Sequence, residues 1–154
     1  MPIRRIASQS RGNDRRVAIV MARFNPAIGE MLLAGALRAL ADAKVAENDI
    51  LVATVPGALE IPLVLQRLAQ TGDYDGLVAL GAVIRGETYH FEIVANESAA
   101  GVASVALEFG IPVGNGILTT NTEEQAHARA DTKGYEAAQV ALELASLLDA
   151  IDEE

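Results

Sequence analysis

Gly81-Ala82-Val83-Ile84-Arg85-Gly86-Glu87-Thr88-Tyr89-His90 decides how the chain reads. Before it, Gly76-Leu77-Val78-Ala79-Leu80 is an uncharged apolar run, as expected of a strand covered on both faces of a parallel sheet. After it, residues 91–109 carry apolar side chains at helical spacing. The decapeptide therefore reads as a strand-to-helix turn at the carboxyl end of a strand, the edge where open α/β sheets bind ligands. It sets two glycines, a cation, an anion, a hydroxyl and an imidazole side by side. Glycine lets a ligand approach the backbone, and free N–H groups at a helix start favour an anion. The residues alone indicate a small-molecule site for a phosphate or carboxylate.

Working outward, the same strand–turn–helix pattern repeats. Residues 16–22 read as a buried strand ending in Arg23-Phe24-Asn25-Pro26, with Asn25 as the cap and Pro26 as the first residue of a helix over 28–44. A second strand over 50–55 closes at Pro56-Gly57, and a helix over about 58–69 stops at Gly72. Beyond the central stretch, Gly110 and Pro112 end the third helix, and residues 111–120 form a fourth strand weakened by glycines. Thr122-Glu123-Glu124-Gln125 matches a capping box that opens a short helix to about Ala130. Asp131-Thr132-Lys133-Gly134 breaks it, and a last helix runs over 135–151. Four apolar strands, each followed by a helix, give one α/β layered domain over 15–154 with a mostly parallel sheet. Residues 1–14 are polar and read as a flexible N-terminal arm.

Composition narrows the classes. The chain has 154 residues, enough for one domain with a sizeable core. Half of it (51%) is hydrophobic while only 4% is aromatic, so the apolar excess is small and aliphatic. Mean hydropathy is +0.23. That excess suggests a second buried surface, as in a homo-oligomer, against the plainer alternative of an Ala-rich monomer core. A net charge of −9 argues against nucleic acid, whose binding requires cations to neutralise phosphates. Cysteine is absent, which excludes disulfides and thiolate metal sites, and no cluster of metal ligands is apparent. No apolar run spans a bilayer and no secretory leader is visible, so a cytoplasmic protein is expected.

The candidate site residues lie at the strand ends. His90 can give and take protons near neutrality, or simply cap its helix. Phe24 offers a flat face to a heteroaromatic ring, or packs in the core. Glu60 can hydrogen-bond a polyol, or form a buried pair with a cation. Arg129 and Lys133 bracket the expected helix break, where they meet a phosphate or complement a helix C-terminus. Arg85 lies in the glycine turn or faces a neighbouring subunit. His127 sits mid-helix among charged residues as a solvated surface group. No glycine turn matches a P-loop or dinucleotide fingerprint.

Arg23-Phe24-Asn25, Pro56-Gly57-Ala58-Leu59-Glu60-Ile61-Pro62, the central decapeptide, Gly116-Ile117-Leu118-Thr119-Thr120, and Glu124-Gln125-Ala126 with Arg129 occur together in one order and spacing. In these motifs the chain resembles the 6,7-dimethyl-8-ribityllumazine synthases over about residues 16–148. The resemblance implies a three-layer flavodoxin-like sandwich, assembled as a pentamer with active sites between adjacent subunits. It implies condensation of 5-amino-6-(D-ribitylamino)uracil with 3,4-dihydroxy-2-butanone 4-phosphate, with no cofactor or metal. A non-catalytic flavin- or lumazine-binding paralogue is the alternative. A riboflavin synthase ranks last, having no use for a phosphate turn.

Carried over by residue, the resemblance implies that Phe24 stacks on the pyrimidine. Asn25, Ala58 and Glu60 adjoin the ribityl chain, with Glu60 accepting hydroxyl hydrogen bonds, and Gly57 and Leu59 belong to the same pyrimidine and ribityl site. Ala82, Val83 and Ile84 lie along the uracil edge. Gly86, Glu87 and Thr88 hold the phosphate, assisted by Arg129 of a neighbouring subunit, and His90 shuttles protons. Leu59 and Asn115, the latter near the bound ring, stand where many members carry aromatics. Lys133 aligns with the family's active-site lysine only across a segment, 130–134, shorter than the loop of shell-forming members. That shortening favours a free pentamer over a sixty-subunit shell.

Overall fold

The computed structural model describes residues 2–154. Its sheet contains β1 (Val17–Ala22), β2 (Ile50–Val55), β3 (Gly76–Ile84) and β4 (Val113–Thr120). They are ordered β2-β1-β3-β4, and every pairing is parallel. The helices are α1 (Pro26–Asp42), α2 (Ile61–Thr71), α3 (His90–Phe109) and α4 (Glu123–Asp152). Short 3-10 turns precede β2 and α2.

Alternation along the central strands sorts the core into two halves. Val17, Ile19, Met21, Val78 and Leu80 face α1 and α4. Ala18, Val20, Leu77, Ala79 and Val83 face α2 and α3. Both faces of β1 and β3 are thereby covered, which explains their uninterrupted apolar runs. The result is the flavodoxin-like three-layer arrangement. Among the described residues no helix is long and apolar enough to cross a membrane.

Three local expectations are corrected. The first four residues of the central decapeptide, Gly81 to Ile84, continue β3, so only residues 85–89 form the turn. Asn25 occupies the N-cap position of α1 but makes no capping bond; it adopts a left-handed backbone with φ 59°. Its side chain instead points an amide at Glu123 Oε1, 3.4 Å away.

The third correction is larger. No break occurs at 131–134, and α4 is a single helix of 30 residues. Gly134 is buried against α1, where a Cβ would overlap the Leu32 carbonyl, and Gly35 of α1 likewise meets the Asp131 carbonyl. These glycines let two helix backbones approach, which outweighs the weak helix propensity of Gly134. Arg38 reinforces the contact with bonds of 2.9 and 2.8 Å to the Asp131 carboxylate. The expected capping box is present at the start of α4, with Gln125 N–H donating to Thr122 Oγ1 at 3.1 Å.

Candidate active site at the carboxyl edge of the sheet

The strand order reverses between β1 and β3, so the turns after β1, β2 and β3 converge at a topological switch point. Register fixes how they meet, with Ala22 opposite Val55 and Met21 opposite Leu80. Beyond the strand ends the Arg23 N–H donates to the Val55 carbonyl at 2.8 Å, and the Phe24 N–H to the Pro56 carbonyl at 3.2 Å. This holds Phe24 beside the turn that carries Gly57. Phe24 is 67% exposed, so it is not packed in the core.

Phe24, Gly57, Ala58, Leu59, Glu60, Ala82, Val83, Ile84, Gly86, Thr88 and His90 all line one cavity of about 350 Å3, joined by Pro56, Phe91 and Val94. An aromatic face, an aliphatic wall, a carboxylate, a glycine turn and an imidazole therefore share one concavity, suited to a flat polar ring with a hydroxylated tail. Glu60 is exposed and forms no ion pair among the described residues, so its oxygens are free to accept.

Residues 86–88 carry the anion-binding potential. Among the described residues no acceptor meets the N–H groups of Gly86, Glu87 or Thr88, and they precede the N-terminus of α3. Such donors, with the helix dipole behind them, attract a phosphate. Thr88 Oγ1 accepts from the His90 N–H at 3.4 Å. Tyr89, the N-cap of α3, makes no side-chain capping bond, and His90, the first residue of the helix, lines the cavity.

Other expected residues lie apart. Arg129 and Lys133 are one turn apart on α4 and line a second cavity of about 860 Å3 beside β4. The two cavities have only Phe91 in common. Arg129 bonds the Gln125 carbonyl of its own helix at 3.0 Å, and neither cation forms an ion pair among the described residues. Asn115 lies within β4 opposite Ala79, accepting from the Ile117 N–H at 3.0 Å, and lines neither cavity. Asn25 and Glu87 line neither cavity as well, and His127 is exposed. Phe91 and Val94 were missed from sequence, although Val94 lies one turn beyond both His90 and Phe91 on α3.

Residues 14–149 match the family of 6,7-dimethyl-8-ribityllumazine synthases. The chain belongs to this family. A 6,7-dimethyl-8-ribityllumazine synthase of Ralstonia nicotianae is 53% identical over 141 residues, covering 92% of this chain and 86% of that one. Proteins of the same name from Nitrosomonas europaea and Methylobacillus flagellatus are 55% and 53% identical, over 96% and 95% of this chain and 90% and 98% of theirs. The turns after β1, β2 and β3 all lie inside the matched region of this lumazine synthase family member.

Proposed function

We propose that the chain makes 6,7-dimethyl-8-ribityllumazine from 5-amino-6-(D-ribitylamino)uracil and 3,4-dihydroxy-2-butanone 4-phosphate, a step of riboflavin biosynthesis in the cytoplasm. The observation that carries this reading is the meeting of Phe24, Glu60, the 86–88 turn and His90 in one cavity of a member of this family. The pyrimidine amine adds to the ketone carbonyl and water leaves, giving an imine. Phosphate is then eliminated, and the ribitylamino nitrogen closes the second ring with loss of another water. Phe24 stacks on the pyrimidine, Glu60 accepts from ribityl hydroxyls, and the 86–88 turn holds the phosphate. His90 moves the protons. Holding two reactive partners in register supplies most of the acceleration, and proton transfer a smaller share.

We further propose that the site is completed by a neighbouring copy in a free pentamer. Arg129 and Lys133 open into a different cavity from the 86–88 turn, so within one chain they do not reach its phosphate. A second copy presenting its Arg129, Lys133 and Asn115 to the first cavity resolves that separation. The absence of a loop between residues 130 and 134 supports a closed ring without further assembly into a shell. Nothing favours the carrier alternative.

The test is steady-state lumazine formation by wild type, Arg129→Ala and His90→Ala. Wild type should form product. Arg129→Ala should lower kcat/KM for the phosphorylated ketone by about 10- to 100-fold, as expected for a lost charge-assisted bond. His90→Ala should slow turnover while leaving activity well above the uncatalysed rate. A wild-type protein that binds riboflavin yet makes no lumazine would hand the function to the carrier reading.

A further inference from the structure

Arg85 is not among the residues that line the substrate cavity, yet it ties together three elements around it. Its backbone N–H donates to the Thr120 carbonyl at 2.9 Å, at the end of β4. Its Nε donates to Asn121 Oδ1 at 2.8 Å, and its Nη1 to Glu92 Oε1 at 2.6 Å. The guanidinium lies over the Phe91 ring, 4.4 Å from the centroid. Arg85 is the first residue after β3, and Glu92 lies in the first turn of α3. The side-chain bond therefore closes across residues 86–91, joining both ends of the turn that presents the free N–H groups and His90. Phe91, beneath the guanidinium, borders both cavities.

We propose that Arg85 is the positioning residue of the phosphate turn, an inference that rests on the proposed reading of residues 86–88 as a phosphate site. Two physical effects act together. The first is geometric. A planar guanidinium that meets Glu92, Asn121 and Phe91 at once fixes the start of α3 relative to the end of β3, and with it the direction of the turn's donors. Gly86 has no side chain and its neighbourhood is open, so the turn has little packing of its own to hold it. The second is electrostatic. An unpaired Glu92 carboxylate in the first turn of α3 competes with an incoming phosphate for the positive end of the helix. Arg85 draws that carboxylate toward the α4 side, where Arg85 itself lines the second cavity. The coupling also reaches Asn121, whose own N–H is held by Gln125 Oε1 at 2.9 Å at the start of α4. The turn and the helix that carries Arg129 thus share one anchored frame.

Glu92→Gln separates this role from direct phosphate contact. If Arg85 itself bound the phosphate, releasing it from Glu92 would tighten phosphate binding. If it positions the turn, loss of the tie weakens binding. Calorimetric titration of inorganic phosphate and steady-state KM values are measured on wild type, Arg85→Gln, Arg85→Lys, Glu92→Gln and the Arg85→Gln/Glu92→Gln double variant, with melting temperatures and oligomer mass alongside. Arg85→Gln should weaken phosphate binding and raise KM for the phosphorylated ketone about tenfold, with KM for the pyrimidine within about twofold, as for a misaimed rather than missing site. Glu92→Gln should weaken phosphate binding in the same direction but by less than Arg85→Gln, because the lost tie outweighs the relief from removing a competing carboxylate. The double variant should be no worse than Arg85→Gln, because one link is broken only once. Arg85→Lys should recover only part, having charge without the fork. Unchanged or tighter phosphate binding by Glu92→Gln overturns the proposal. So do equal losses for both substrates, or additive effects in a folded double variant. The calorimetry does not need turnover. Absence of lumazine formation by wild type therefore counts against the proposed reaction, while a weaker phosphate titration in both single variants still upholds the role of Arg85.

Discussion

The two helical layers of this sheet are built to different standards of completeness. On one side α1 buries Ile28, Leu32, Ala36, Ala39 and Leu40, and α4 buries eight residues that are alanine or glycine except Leu142. On the other side α2 buries only Ile61 and Leu65, and the 20 residues of α3 bury only Ser98, Val102 and Val105. Leu63 and Leu107 are 66% and 86% exposed there, and edge strand β2 leaves Leu51 and Val52 partly open. The first layer is closed within the chain by backbone proximity. The second leaves large apolar groups facing outward, the pattern expected where another copy packs. Most of the buried alanines lie on α1 and α4, so part of the alanine excess is used within the chain. The stronger case for a second buried surface rests on exposed Leu63, Leu107, Leu51 and Val52.

Breaking the closed layer should have the largest effect. Gly134→Val places a branched side chain where even a Cβ meets the Leu32 carbonyl, so α1 and α4 must separate. Overpacking of this kind costs about 3 kcal/mol. We expect a large fall in melting temperature and in soluble yield. A variant melting within a degree or two of wild type would mean that the helices shift apart freely, and the contrast between the layers would lose its basis.

The open layer should respond differently. Leu63→Glu with Leu107→Glu adds charge where the single chain already exposes both side chains, so secondary structure should be unchanged. Each leucine buried at a subunit contact contributes about 1.5–3 kcal/mol, and the change repeats at every copy of the interface. Light scattering should therefore show mass falling toward the 16.2 kDa of one chain. Lumazine formation should fall with it, because Arg129 and the phosphate turn then no longer meet. An unchanged mass would place the subunit contact elsewhere on the molecule.

The same contrast marks what could be read from sequence. The strands and the first cavity were legible because local patterns encode them. Continuous apolar runs mark doubly covered strands, and unusual residues at their carboxyl ends mark the site. Gly134 was misread because local rules take Asp131-Thr132-Lys133-Gly134 as a breaker, whereas its reason lies in Leu32, about a hundred residues earlier. Asn25 was expected to cap α1 because its type and position suit a cap. Its backbone is left-handed, and its amide is directed at Glu123 at the start of α4, which no local window contains. The Arg85 tie escaped notice for a similar reason. Glu92 lies across the turn, seven residues on, and Asn121 arrives only through the pairing of β3 with β4.

The smallest effect expected is a pH dependence confined to the closed layer. The hydrogen bond from Arg38 holds the Asp131 carboxyl below its ordinary range. The phenol of Tyr135 is held above its ordinary range, first by the 2.7 Å bond it donates to Asp42. A depressed carboxyl contributes stability above its unfolded pKa, about 3.9, and loses it as pH falls through the folded value. A raised phenol contributes below its unfolded pKa, about 10, and loses it as pH rises through the folded value. Both contributions are therefore intact between about pH 5 and 9, and solvent exposure keeps them small. Asp131→Asn should melt slightly below wild type across that window, and the gap should begin to narrow as pH falls below about 4 and close once pH is below the depressed folded-state value. Tyr135→Phe should show the mirror image, its deficit beginning to shrink above about pH 10 and vanishing above the raised folded-state value. A gap for Asp131→Asn that persists undiminished at pH 3 would mean that the Arg38 bond is incidental, and that glycine-mediated backbone contact alone closes the layer.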